Sequence, residues 1–94
     1  MQQLSPHDNR LVKTMQLLGD DTRYKIFKLL YGGKNLCVSE IAEELHISVP
    51  AVSQHFRIFE LVGIVDKVRT GQRVCYKLKE NDEFVAKLTS FANN

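Results

Sequence analysis

Apolar side chains recur along this chain of 94 residues at two rhythms, and the change of rhythm marks out its elements. Leu11, Met15 and Leu18 stand at i, i+4 and i+7, with Val12 and Leu17 widening the stripe, which predicts a helix from Asp8 or Asn9 to about Leu18. Residues 1–7 before it read as a loose tail, and Gly19 stops it. Asp20 is placed to cap a second helix with Asp21 in its first turn. That helix runs on through Tyr24 to Tyr31, with Ile26, Leu29 and Leu30 inward and Phe27 widening the buried surface, until Gly32-Gly33 ends it. Leu36-Cys37-Val38 is too short for a helix and suits a brief strand.

Two short helices follow in Ser39 to Val62, SEIAEELHISVPAVSQHFRIFELV. In the first, Ser39 is the expected N-cap, Glu40 sits where the helix dipole favours an anion, and Ile41, Ala42 and Leu45 form the stripe. His46 falls where a left-handed residue closes the helix; histidine tolerates positive φ better than most. Ser48 caps the second helix, and Pro50 in its first turn loses no intrahelical donor. At about 100° per residue, Val52, Phe56 and Phe59 project together with Ala51, His55, Ile58 and Val62 beside them. Pro50, Ser53, Gln54, Arg57 and Glu60 face the other way, and Leu61 falls on that exposed side as well.

Beyond Gly63 the period drops to two. Ile64 to Arg69 reads as a strand, Thr70-Gly71 as a tight turn, and Gln72 to Leu78 as a second strand with Val74, Tyr76 and Leu78 on one face. Asn81 is placed to cap a last helix, with Asp82 and Glu83 in its first turn and Phe84, Leu88 and Phe91 at i, i+4, i+7. The whole is a mainly α chain with a small β-hairpin, ordered α-α-β-α-α-β-β-α, in one domain spanning residues 1–94. The helices near 8–19 and 81–92 carry apolar stripes with little core left to cover, so Leu11, Met15, Leu18, Phe84, Leu88 and Phe91 are expected to meet a second copy.

A tight helix pair of this kind is a helix-turn-helix, which sets its second helix in the DNA major groove. Ser48, Val49, Pro50, Ser53, Gln54 and Arg57 would then approach the duplex. Ser and Gln exchange hydrogen bonds with base edges, Arg57 meets guanine or a phosphate, and Val49 touches a thymine methyl. The hairpin behind it presents Lys67, Arg69, Gln72, Arg73 and Lys77, as a DNA-binding wing does. Net charge sharpens this. The chain carries only +2, but Arg57 to Lys79 holds six cations against two anions, so the positive charge sits on the second helix and hairpin.

Composition excludes other classes. The 44% apolar and 26% charged fractions are those of a globular domain, with no run long enough to span a membrane and no signal-peptide pattern. Two cysteines without a secretion signal point to a reducing cytoplasm and free thiols. His55 reads as a hydrogen-bonded core residue, His46 as a turn residue and His7 as part of the tail. No catalytic relay, paired carboxylates or Gly-rich phosphate loop appears, so an enzyme is not expected, nor a cofactor.

The sequence resembles the ArsR family of bacterial winged-helix repressors over nearly its whole length. Leu17–Leu30, Leu36–Val65 and the wing Arg69–Leu78 carry the likeness, as does the recognition-helix rhythm of Ser48, Val52, Ser53, His55 and Phe56. The resemblance implies a homodimer on double-stranded, near-palindromic operator DNA, released by an inducer, with dimerisation through the first and last helices. Arsenic sensors of that family carry Cys-Val-Cys where this chain has Cys37-Val38-Ser39. Its zinc and cobalt sensors use Asp and His on the last helix, where Asp82 and Glu83 occur without a histidine. Neither metal set is intact, so no metal is assigned and the inducer is open. In a winged helix the strand before the motif pairs with the second wing strand, which makes Cys37 and Cys75 neighbours. They read either as a redox-sensitive pair or as two small residues filling a thin sheet. The alternative to a DNA-binding regulator is a winged helix serving as a protein-interaction module.

Overall fold

The computed structural model describes residues 3–93. Its elements are α1 (Pro6–Leu18), α2 (Asp21–Leu29), β1 (Leu36–Cys37), α3 (Val38–Leu45), α4 (Val49–Leu61), β2 (Val65–Thr70), β3 (Arg73–Leu78) and α5 (Glu83–Ala92), the order expected from the sequence.

Element ends differ from expectation where a side chain captures a backbone donor. α1 starts at Pro6, because Ser5 Oγ accepts from the Asp8 N–H at 3.0 Å while Asp8 Oδ2 accepts from the Ser5 N–H at 3.2 Å. Residues 5–7 are thus helix entry rather than tail; Met1 and Gln2 lie outside the described residues. α3 is capped by Cys37, not Ser39, with Glu40 Oε1 reaching back to the Cys37 N–H at 2.9 Å. α5 is capped by Asp82, not Asn81, through Asp82 Oδ1 on the Phe84 N–H at 2.9 Å. α2 stops at Leu29, short of Tyr31, as the chain turns into the left-handed pair Gly32-Gly33. The hairpin turn is Gly71-Gln72 rather than Thr70-Gly71: Thr70 pairs with Arg73, and glycine takes the first central position at φ 62°.

The sheet order is β1-β3-β2, all antiparallel, with β3 central. Tyr76 pairs with Leu36 on one side and Lys67 on the other. One cluster of buried side chains draws on every helix and the sheet. Its centre is Phe27 of α2, Leu30 just after that helix, Ile41 of α3, and Val52, Phe56 and Phe59 of α4, each essentially closed to solvent. Each such side chain contributes about 1.5–3 kcal/mol through burial. That core fixes the roll of α4 about its own axis, and therefore which of its residues face out.

The terminal helices are used differently. α1 sends Thr14 and Leu17 inward, and α5 sends Val85. Buried Thr14 donates its hydroxyl to the Arg10 carbonyl at 2.7 Å. No described helix is long and apolar enough to cross a membrane.

Candidate nucleic-acid interface

The turn between α3 and α4 is set by His46, left-handed at φ 56° as its place in the sequence implied, and by the Ile47 N–H donating to the Ala42 carbonyl. Ser48 Oγ then accepts from the Ala51 N–H at 3.2 Å and starts α4. With Val52, Phe56 and Phe59 inward, Ser48, Val49, Pro50, Gln54 and Arg57 lie exposed and Ser53 half-buried at their edge. Val49 is open enough for an apolar contact.

β3 ties the hairpin to α4. The Tyr76 ring stacks on Phe56 with centroids 3.9 Å apart and planes within 4°. Its hydroxyl donates to Glu60 Oε1 at 3.2 Å. Burial, with the Glu60 carboxylate adding to it, pushes the Tyr76 hydroxyl up to about 12, so it remains a donor at any physiological pH. Helix and hairpin therefore form one surface. Arg69, Gln72 and Arg73 are exposed on it. Arg57 and Arg69 make no ion pair among the described residues, whereas Arg73 leans back 3.4 Å from Glu40 of α3. Glu40, unremarked in the sequence beyond its place in the first turn, thus holds both the α3 cap and a wing cation.

His55 lies beside the core as expected. Burial, and then the charge of Arg23, hold the pKa of its imidazolium below the ordinary value. Arg23 Nη1 stands 3.5 Å from His55 Nδ1, and because a guanidinium only donates, Nδ1 is assigned as acceptor. Arg23 also donates to the Leu17 carbonyl at 2.8 Å.

Cys37 and Cys75 face each other in register across β1 and β3 and are joined as a disulfide, where free thiols had been expected. Both are almost fully buried. The reason is the register itself, which leaves the two residues directly opposed.

On the far side of the molecule, Met15 is 64% and Phe91 90% exposed. With Leu18, Tyr24, Phe27 and Leu88 they line an open, mostly apolar groove of about 530 Å³ between α1, α2 and α5. Leu11 and Phe84 are half-buried. Leu61 is 85% exposed and borders two shallow grooves lined by α1, by the end of α4 and, in one of them, by Arg23 of α2, with no wing residue in either.

Arg10 went unnoticed in the sequence, since its partners lie far along the chain. Its Nε donates to the Val62 carbonyl at 3.3 Å, and Nη2 to the Gly63 carbonyl at 3.1 Å and to Asp82 Oδ2 at 2.9 Å. Its guanidinium also lies 4.3 Å from the centre of the Phe84 ring. The Arg10 hydrogen bond, and then that from the Phe84 N–H, hold the Asp82 carboxyl below the usual range. Asp82 is thereby engaged, and no described group of three His, Cys, Asp or Glu side chains is arranged to hold a metal.

A helix-turn-helix followed by a two-stranded wing, with helices at both ends, is a winged helix-turn-helix. The family described as bacterial regulatory protein, arsR family, matches residues 20–67. The transcriptional repressor SdpR of Bacillus subtilis is 38% identical over 61 residues, 65% of this chain and 67% of that one. The chain belongs to the arsR family. It spans between 33% and 67% of the curated relatives it matches first. HlyU of Vibrio cholerae has the same fold, with a TM-score of 0.83 at 22% identity over 95% of this chain and 94% of that one. So does Mb0332 of Mycobacterium bovis, described as a homodimeric winged helix-turn-helix DNA-binding domain, with a TM-score of 0.75 at 22% identity over 98% and 86%.

Proposed function

We propose that this chain is a transcriptional repressor that binds near-palindromic operator DNA as a homodimer. The observation that carries the reading is the division of α4: its aromatic side is closed inside the core, while Ser48, Val49, Pro50, Gln54 and Arg57 are open beside a cationic wing. In this role Ser53 and Gln54 read base edges, Val49 meets a thymine methyl, and Arg57 takes guanine or a phosphate. Arg69, Gln72 and Arg73 grip the flanking backbone. The uncovered face of α1 and α5, with Met15, Leu18, Leu88 and Phe91, suits a second copy, and the homodimeric Mb0332 fragment supports that arrangement. A two-fold pair sets the recognition helices about 34 Å apart, one turn of DNA.

The test is binding of a labelled duplex selected from a random pool, followed as salt is raised. A protein making six or more phosphate contacts loses about a thousandfold in affinity between roughly 50 and 200 mM salt. Salt-insensitive or absent binding overturns the reading and favours a protein-interaction module.

The cysteine pair supports release by oxidation. A peroxide takes two electrons from the Cys37 and Cys75 thiols and leaves as two waters, while their sulfurs join and lose two protons. The bond ties the cap of α3, and Glu40 with it, to the strand that carries Arg73. Peroxide treatment of the reduced protein is expected to remove both thiols and weaken operator binding; retention of both thiols and of binding ends this part of the reading.

A further inference from the structure

We propose that Arg10 is a positioning residue for operator binding: its guanidinium locks the end of the recognition helix to the two terminal helices, and so sets the spacing at which a dimer presents its two recognition helices. This rests on the reading of the chain as a dimeric DNA-binding protein, and adds to it a residue that touches no DNA.

Arg10 belongs to α1, Val62 and Gly63 follow the last turn of α4, and Asp82 caps α5. The Val62 and Gly63 carbonyls lie just past the last turn of α4, at the negative pole of the helix. A cation there neutralises that pole. The same planar fork satisfies the carboxylate that starts α5, and its far face rests on the Phe84 ring. One side chain thus joins the two helices with the uncovered apolar face to the helix with the exposed polar face. Its Nε and Nη2 donors are already occupied, and α4 extends about 20 Å from this end to its N-terminal turn. A phosphate contact is therefore not its role. The lever is long: a tilt of about 10° at the Arg10 end displaces the Ser48 end by roughly 3 Å, about one base-pair step. Lysine cannot replace it, because a single ammonium does not present the fork to three acceptors.

Wild-type protein first selects duplexes from a randomised pool; the selected site is then remade with its half-sites moved apart or together by one and two base pairs. Arg10→Ala is expected to lose about tenfold on the selected spacing, the scale of a coupling residue. Its affinities for the shifted spacings should converge with the selected one. Its dimer mass and helical content should match wild type, and so should its salt slope, since no phosphate contact is removed. Arg10→Lys should behave like the alanine variant; it keeps the charge and stem, and is judged by the same criteria if the alanine variant does not fold. Wild-type spacing preference in the folded variants, full rescue by lysine, a shallower salt slope or loss of the dimer each overturns the proposal. Failure of the wild-type protein to select any duplex is a different result: it overturns the DNA-binding reading and takes this inference with it.

Discussion

The surface of α4 and its wing and the surface of α1 and α5 are built from similar helices for opposite environments. On the first, Val52, Phe56 and Phe59 are inside, and what remains outside is mostly short, polar or cationic, with Leu61 at the end of α4 the exception. On the second, Thr14, Leu17 and Val85 do the inward packing, and larger groups, Met15 and Phe91, are left in water. Exposure of one large apolar residue is ordinary; a groove lined by several is not. The contrast teaches that an apolar stripe in a sequence has two possible destinations, the chain's own core or another molecule, and that the polar residues between the stripes decide which.

The largest expected effect breaks the apolar side. Phe91→Glu, in both copies of a dimer, puts two charges into the expected interface and removes two aromatic side chains. At about 1.5–3 kcal/mol per buried large side chain, dimerisation should weaken by roughly 3–6 kcal/mol. Sedimentation should give a monomer at concentrations where wild type is dimeric, with the helical spectrum unchanged, because Phe91 is 90% exposed within one copy. A variant that stays dimeric would move the interface elsewhere.

Next in size is the bond under the polar side. The cysteines are 38 residues apart in sequence, and opening a loop of that length costs about 4 kcal/mol of stability in the chain-entropy account. Reduction should lower the midpoint of thermal unfolding. Cys75→Ser should lower it equally and make it insensitive to reductant.

Smaller again are the cations of the polar face. Arg57→Ala should cost about 1–3 kcal/mol in operator affinity and reduce the salt slope by about one, with fold and dimer intact. Arg73→Ala should cost less, because Arg73 already shares its charge with Glu40 at 3.4 Å. Equal losses would mean that the Glu40 contact opens on DNA; unchanged affinity in both variants would remove them from the interface.

How much of this was legible in the sequence depends on how local the cause is. The helix pair was readable because its signals lie within a few residues: Ser48 at the cap, Pro50 in the first turn, His46 at the left-handed close. The pairing of Cys37 with Cys75 was readable only through the topology of the resembled fold, and the structure sets the two opposite. Caps at Cys37 and Asp82 were misplaced by one or two residues because neighbouring polar side chains compete for the same backbone donors, and Ser39 and Asn81 fit local preference as well. Arg10 could not be found at all. Nothing near it in sequence distinguishes it from Lys13, and its acceptors come from positions 52, 53 and 72 residues away.

The smallest effect lies at the joint between the two surfaces. The pKa of Asp82 is held below its ordinary value first by the Arg10 hydrogen bond, so the folded chain binds fewer protons there than the unfolded chain does. Its stabilising contribution is therefore present above the unfolded carboxylate value of about 3.9 and lost as pH falls through the lower folded value. The side chains of Arg10 and Asp82 are 32% and 29% exposed, so screening limits the ion pair to less than about 1 kcal/mol. Asp82→Asn should lower stability slightly at pH 7 in chemical denaturation, and the gap to wild type should close as the pH is taken from about 5 toward 2. The acid limb should not vanish, because Asp8, through Ser5, and Asp20, through the Arg23 N–H, are depressed in the same direction. If the gap stayed constant across that range, the amide would be losing cap geometry rather than charge. The joint would then be held by the Val62 and Gly63 carbonyls alone.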